Sequence, residues 1–210
     1  IFLGVSLSFA AENIREYRLD RASERESLER LIRGRENDLS DFQISLGTAD
    51  RGAEAIAWIH AQSGAAPSRD SLEYHLNQFL VCSAMAANSS EYQSLKSSGD
   101  LSVLRDLDFR EELTALYEMY PMVAEMHIED CSAREAVFEP VMDALRIDPS
   151  GAFPRVRIEG DVAEILTNRR FLNSLSMAHS IRVVLGIFNR RLISRLEDLR
   201  THALELLADS

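Results

Sequence analysis

Residues 175–206 read LSMAHSIRVVLGIFNRRLISRLEDLRTHALEL, and their pattern is the strongest indication of the fold class. Their apolar side chains recur every three or four residues, at Leu175, Ala178, Ile181, Leu185, Phe188, Leu192, Leu196, Leu199, Ala203 and Leu206. That period places them on one face of an α-helix, because 3.6 residues make one turn. The sequence therefore predicts a long final helix, which Asp161 can cap at its start.

A second long stripe precedes it, formed by Phe109, Leu113, Leu116, Tyr120, Val123, His127, Cys131, Arg134, Phe138, Val141 and Leu145. Pro121 and Pro140 remove backbone donors, so they should bend this helix or break it. Residues 148–151 end it, and Arg155–Ile158 forms a connector that can be briefly extended. Shorter helices are predicted from Thr48 or Asp50 to Ala61, from Ser68 or Asp70 to about Ala87, and over residues 92–97.

The first eleven residues, IFLGVSLSFAA, carry no charge, whereas the chain is heavily charged from Glu12 onward. We interpret residues 1–11 as the last part of a transmembrane helix, since such a boundary is typical of a bilayer surface. The membrane-embedded side chains would be Ile1, Phe2, Leu3, Val5, Leu7 and Phe9. At about 1.5 Å per residue, the whole segment 1–11 covers about half of the hydrocarbon layer, so we expect upstream residues to complete the span. A cleaved signal peptide, suggested by Ser8-Phe9-Ala10, and a buried core helix stay open as alternatives.

Residues 12–47 are predicted to form a charged juxtamembrane helix, and residues 48–210 a helical bundle domain. From Glu12 to Glu36 there are seven acidic residues and seven arginines, many of them three or four apart, where they can pair. Asp20 to Ser27 contains one apolar residue, Ala22, which indicates a solvated segment. The predicted fold class is therefore all-α: a bundle of three long and several short helices behind an N-terminal transmembrane helix.

Two segments resemble an uncharacterised bacterial family of small single-span membrane proteins. One runs from the glycine-containing apolar sequence Gly4-Val5-Ser6-Leu7-Ser8-Phe9 into the Arg/Glu-rich sequence Glu12-Asn13-Ile14-Arg15-Glu16. The other is YQSLKSSGDL, residues 92–101. The resemblance implies a membrane anchor with a helical domain. It brings no known activity, so it implies no functional residue.

The net charge of −11 disfavours nucleic acid as a partner, because phosphate binding needs a basic surface. The charge is uneven along the chain: residues 106–148 hold twelve acids and three arginines, whereas residues 155–200 hold nine arginines and five acids. Complementary outer faces of antiparallel helices explain this difference. Cys82 and Cys131 lack the spacing of a zinc site; free buried thiols are the favoured interpretation, and a single disulfide stays open.

No motif in the sequence predicts a catalytic residue, a cofactor site or a metal site. His127 and Cys131 are four apart on one stripe, but two ligands do not make a metal site. We interpret them as a core histidine and thiol, with Arg134 reaching a carboxylate. Asp198 and His202, also four apart, are interpreted as a surface pair near a helix end.

A membrane anchor followed by a domain without a recognisable catalytic or ligand-binding motif favours a non-enzymatic accessory subunit that docks on a partner in a larger membrane complex. A respiratory or photosynthetic complex would be one such host. The alternative is a membrane-tethered sensor or ligand-binding module, and an enzyme using His127 and Cys131 is a third hypothesis. The expected location is a bacterial inner membrane. Four arginines soon after the apolar segment favour the cytoplasmic side slightly, although equal numbers of acids accompany them.

Overall fold

The structure is a computed structural model that describes the backbone of residues 2–82, 89–150 and 154–209, and their side chains except those of residues 2–10, Glu91 and Asp100. The described part is mostly helical, which confirms the all-α class. Its helices are α1 (Phe2–Ala61), α2 (Arg69–Leu80), α3 (Ser90–Ser98), α4 (Leu107–Phe138), α5 (Val162–Thr167) and α6 (Arg169–Ala208). Two 3-10 turns, Asp100–Val103 and Glu139–Ala144, and two strands, β1 (Leu145–Asp148) and β2 (Arg155–Ile158), lie between them.

Several helix ends follow the local signals in the sequence. Ser68 caps α2 by accepting a hydrogen bond from the backbone N–H of Ser71, and Gly99 ends α3 with φ at 79°. Asp161 caps a helix as predicted, but that helix is the short α5. The chain then breaks at Asn168, whose side chain accepts from the backbone N–H of Phe171 and so caps α6. The single final helix predicted from Asp161 is therefore two helices.

The helix predicted along the stripe from Phe109 to Leu145 ends earlier than expected. Pro121 lies inside α4 without ending it, whereas Pro140 stands at the start of the 3-10 turn that follows α4. The apolar stripe predicted to reach Leu145 as helix therefore continues as a 3-10 turn and then as β1. This strand pairs antiparallel with β2, Leu145 opposite Ile158, in a hairpin that the sequence did not predict.

Helix α1 crosses residues 47 and 48 without a break, so the separate helix predicted from Thr48 or Asp50 is wrong. Thr48 does not cap a helix, because its hydroxyl donates to the carbonyl of Ile44 one turn earlier. The predicted division of the chain into domains at residue 48 stays a prediction. The chain divides into two compact units: unit 1 is Ile1–Ser40, Ala87–Met119 and Ser194–Ser210, and unit 2 is Asp41–Ala86 and Tyr120–Ile193.

The core of unit 1 lies among parts of α1, α3, α4 and α6. Its buried side chains include Leu28, Leu31, Tyr92, Leu95, Phe109, Leu113, Leu116, Leu196, Leu199 and Ala203. Within Asp20 to Ser27, the segment predicted to be solvated, most side chains are exposed, but the prediction does not hold for all of them. Glu24 and Ser27 are buried, and the Glu24 carboxylate accepts a hydrogen bond of 2.7 Å from the backbone N–H of Arg105.

The core of unit 2 lies among α2, the hairpin, α5 and parts of α1, α4 and α6. Its buried apolar side chains include Ile56, Ile59, Leu72, Leu76, Phe79, Val137, Val156, Ile158, Ile165, Phe171, Leu175 and Ala178. Helix α2 also covers the outer edge of β2. The amide of Asn77 bonds both the N–H and the carbonyl of Val156, and Glu73 accepts from the N–H of Ile158. These side chains satisfy an edge that would otherwise stay open.

One helix in the described part, α6, is long and apolar enough to cross a membrane by length and composition. This is weak evidence for membrane association, because a core helix of a soluble protein passes the same test. The apolar stretch of α6 also contains Arg182, which is buried in an ion pair inside unit 2. The predicted N-terminal span stays a prediction: the backbone is helical from Phe2, but Ile1 and the side chains of Phe2, Leu3, Val5, Leu7 and Phe9 lie outside the described residues.

Candidate functional site

The outward side of α6 in unit 2 carries a regular row of exposed side chains, which we name the α6 outer stripe. It advances in steps of three and four residues: Arg169, Asn173, Met177, Ser180, Val184, Ile187 and Arg191. The centre of the stripe is apolar, with Met177 71%, Val184 41% and Ile187 55% exposed. Steps of three and four are those with which one helix presents a seam to another. The stripe can therefore receive a second helix.

The inward side of α6 has a separate set of apolar residues. Leu175, Ala178, Leu185 and Leu192 are buried in the core of unit 2. An ordinary amphipathic helix would place polar residues on the side opposite such a core face. Helix α6 instead has apolar residues on both sides, so the needs of its own core do not explain the outer stripe.

The inward side also carries a buried charge, Arg182. Its guanidinium donates to the carboxylate of Asp130 on α4 at 2.8 Å and to the backbone carbonyls of Phe79 and Val81 at 2.8 and 2.9 Å. It also lies 4.8 Å from the centre of the Phe79 ring. Burial lowers the pKa of Arg182, and the charge of Asp130 opposes that change. The pair satisfies a charge that would be costly if it were left alone in the core.

Gly52 on α1 makes room for this guanidinium. A β-carbon added at Gly52 would lie 1.4 Å from Nη1 of Arg182 and 2.5 Å from its Cζ. Glycine inside a helix costs about 1 kcal/mol relative to alanine, so its presence in α1 needs a reason. The close approach of Arg182 supplies that reason.

A second arginine joins Arg182 at the carboxyl end of α2. Arg134 on α4 donates to the carbonyl of Leu80 and, at 3.0 Å, to that of Cys131. The two arginines thus bind three successive carbonyls, those of residues 79, 80 and 81. The last carbonyls of a helix lack partners within it and carry partial negative charge, so cations stabilise them.

A disulfide joins Cys82, just beyond this helix end, to Cys131 on α4. The favoured expectation of two free buried thiols is therefore wrong, and both cysteines are partly exposed. They are 49 residues apart in the chain, so their pairing follows from the packing of α2 against α4. The sequence carries no local signal for it. The expectation that Arg134 reaches a carboxylate is also wrong, because its partners are backbone carbonyls.

A second polar group crosses the core of unit 2 one heptad from Arg182. The Ser45 hydroxyl and the His127 Nε2 are 3.0 Å apart, and the Asn189 amide donates to the same hydroxyl at 2.9 Å. All three side chains are buried. His127 is thus a core histidine, as the sequence indicated. In the described part of the chain, no three His, Cys, Asp or Glu side chains gather as a metal ion would need.

A groove of about 580 Å³ runs beside α2 and β2 in unit 2, lined in part by Asp70, Glu73, Tyr74, Asn77 and Arg155. Glu73 and Asn77 already bind the backbone of β2, so these polar groups serve the fold. In unit 1, the interpretation of Asp198 and His202 as a pair is wrong. His202 lies 3.3 Å from the Glu112 carboxylate and 3.6 Å from that of Asp106.

The lone arginine in an otherwise apolar stretch of α6 was a signal that sequence reasoning missed. Residues 171–189 hold one charged residue, Arg182, and an unpaired charge there would be too costly to bury. A buried partner on another helix was therefore to be expected. The outer stripe had a signal as well, since Val184 and Ile187 fall between the core positions of the predicted helix.

Comparison with known proteins leaves the family of this chain open. No family model matches it, and neither the curated proteins nor the solved structures give a match.

Proposed function

We propose that this chain is a membrane-tethered, non-enzymatic accessory subunit, a helical bundle that docks on a partner protein through the α6 outer stripe. The observation that carries the proposal is the second apolar seam of α6, at Met177, Val184 and Ile187. The tether rests on the apolar composition of residues 1–11 and on the abrupt change to charged residues at Glu12.

The charges of the stripe define the chemistry of the partner. Arg169 and Arg191 stand at its two ends, so the complementary surface is a helix with an apolar seam and acidic residues at both ends. Self-association through this stripe is disfavoured. An antiparallel pair of stripes would place Arg169 against Arg191 of the second copy, and a parallel pair would place each arginine against itself.

The size of the stripe supports a tethered encounter. Fully burying a Val, Ile or Met side chain contributes about 1.5–3 kcal/mol, so covering these three partly exposed ones contributes about 3 kcal/mol. Association in solution costs about 4 kcal/mol or more, so the stripe alone would bind weakly. Confinement of both partners to one membrane raises their effective concentration and lowers that cost.

A matched pair of variants of the full-length protein tests the proposal. Ile187→Glu places a charge in the stripe, whereas Ile128→Glu makes the same change on α4, where the side chain is 68% exposed against 55% for Ile187. Each variant is expressed in the native host, extracted in mild detergent and sized by native electrophoresis. Circular dichroism checks that both keep the wild-type helix content.

We expect wild type and Ile128→Glu to migrate in one larger assembly, and Ile187→Glu to leave it. Equal migration of the two variants, or a wild-type protein that migrates as a lone monomer, would contradict the proposal. A wild-type assembly that contains this chain only would show a second copy as the occupant and would contradict the assigned partner.

A further inference from the structure

We propose that the Cys82–Cys131 disulfide is a redox site of unit 2: a dithiol reductant opens it, and opening releases the carboxyl end of α2 from α4. The site is independent of the α6 outer stripe, so it does not rest on the proposed docking function. The disulfide joins the end of α2 to α4, and both of these contact the buried guanidinium of Arg182.

The disulfide lies beside the buried arginine. Cys131 follows Asp130, the carboxylate that binds Arg182, and Cys82 follows Val81, whose carbonyl accepts from the same guanidinium. The disulfide thus joins the residue after Asp130 to the residue after Val81, and both Asp130 and Val81 accept hydrogen bonds from Arg182. The Cα atoms of the two cysteines are 5.7 Å apart. The crosslink keeps the end of α2 against α4, where Arg182 and Arg134 reach its carbonyls.

The capped helix end depends on this placement. Arg182 and Arg134 are like charges, and Arg134 contributes to lowering the pKa of Arg182. The carbonyls of residues 79–81 bring partial negative charge to both guanidinium groups. If the segment moves away, Arg182 loses two acceptors and keeps Asp130 alone. The last turn of α2 is therefore the part of unit 2 whose stability should respond most to the state of the cysteines.

The chemistry needs two electrons, which a dithiol supplies. One thiolate of the reductant attacks one sulfur of the disulfide, forms a mixed disulfide and releases the other cysteine as a thiolate, which takes up a proton. The second thiol of the reductant then attacks the mixed disulfide. It releases the remaining cysteine and leaves the reductant as a cyclic disulfide. Both cysteines are partly exposed, so a small dithiol can reach them.

The closed site also has a consequence for the side of the membrane. The reducing cytosol keeps such cysteines as free thiols, whereas a disulfide persists in the periplasm or outside the cell. With the tether proposed above, a bond that is closed in cells would place unit 2 on the oxidising side of the membrane, and this placement alone rests on that tether. This reverses the slight preference for the cytoplasm that the arginines near residue 12 suggest.

The first test traps the thiols of the full-length protein in intact native cells. Cells are quenched in acid, and the protein is labelled with a maleimide polymer with and without prior reduction. We expect neither Cys82 nor Cys131 to be labelled before reduction and both to be labelled after it, as peptide mass spectrometry would show. Labelling of both before reduction would overturn the proposal, because the bond would then be absent where the protein works.

The second test measures hydrogen exchange of the purified protein with and without a dithiol. Reduction should raise the exchange of the last turn of α2 about tenfold or more, with little change in α3 of unit 1. The variant Cys82→Ser/Cys131→Ser should show the fast exchange already, and the dithiol should not change it. Unchanged exchange of α2 in reduced wild type would overturn the proposal. This comparison of oxidised with reduced wild type holds even if the variant does not fold.

Discussion

Replacing Gly52 by alanine should destabilise the protein, although the same change usually stabilises a helix. Alanine inside a helix is favoured over glycine by about 1 kcal/mol. At Gly52, however, the new β-carbon would meet Nη1 of Arg182 at 1.4 Å. The guanidinium would have to leave Asp130 and the α2 carbonyls, and disrupting a buried ion pair costs about 3–5 kcal/mol. We therefore expect a net loss of about 2–4 kcal/mol in the free energy of unfolding.

Gly34→Ala is the matched control, because Gly34 lies in the same helix and an added β-carbon there meets no atom within 4 Å. It should gain about 1 kcal/mol. Urea unfolding followed by circular dichroism measures both variants. The fluorescence of Trp58, the single tryptophan, reports on unit 2. If Gly52→Ala unfolded at the same urea concentration as wild type or at a higher one, the guanidinium of Arg182 would not depend on the space at Gly52.

Three further changes test other parts of the structure. Cys82→Ser/Cys131→Ser removes a crosslink between residues 49 positions apart, so the chain-entropy relation gives a loss of about 4 kcal/mol in the free energy of unfolding. Calorimetry or urea unfolding measures this loss, and an unchanged stability would argue against the bond. Burial lowers the pKa of His60 and of His75 below the ordinary 6.5. The unfolded chain then binds more protons, so the free energy of unfolding should fall as the pH drops below about 6.5, and a stability that rose instead would be inconsistent with this burial. Asn77→Ala leaves two backbone groups of β2 unpaired and should cost about 1–3 kcal/mol, which a urea midpoint equal to that of wild type would disprove.

The sequence predicted the parts of the fold that depend on local chemistry. The apolar period over residues 175–206 produced α6, and Ser68 and Asp161 cap helices, although Asp161 caps the short α5 and not α6. Each of these depends on a few neighbouring residues. Helix caps and periodicity act within one or two turns, so one segment is enough to read them.

The parts that failed depend on packing between distant segments. The Cys82–Cys131 bond needs α2 to end beside α4, and Arg134 finds a carbonyl there because that helix end lies within reach. The hairpin of β1 and β2 forms where α2 supplies side chains for its edge, and neither strand is long enough to show a period of two. Such contacts leave no pattern along a single stretch of chain.

The α6 outer stripe could be predicted from the sequence only in part. The outer stripe can be read from the sequence once α6 is assigned, because Met177, Val184 and Ile187 fall off its core face. Their exposure cannot be read in this way, since another helix of the same chain could have covered them. The structure supplied that information.

Photocrosslinking in native membranes tests the docking surface most directly. A photoreactive amino acid is placed at Val184 in the outer stripe or, as a control, at Ser132, which is exposed on α4 in the same unit. We expect one defined adduct with a different protein from position 184 and none from position 132. Absence of an adduct at 184, or the same adducts from both positions, would contradict the proposed docking surface.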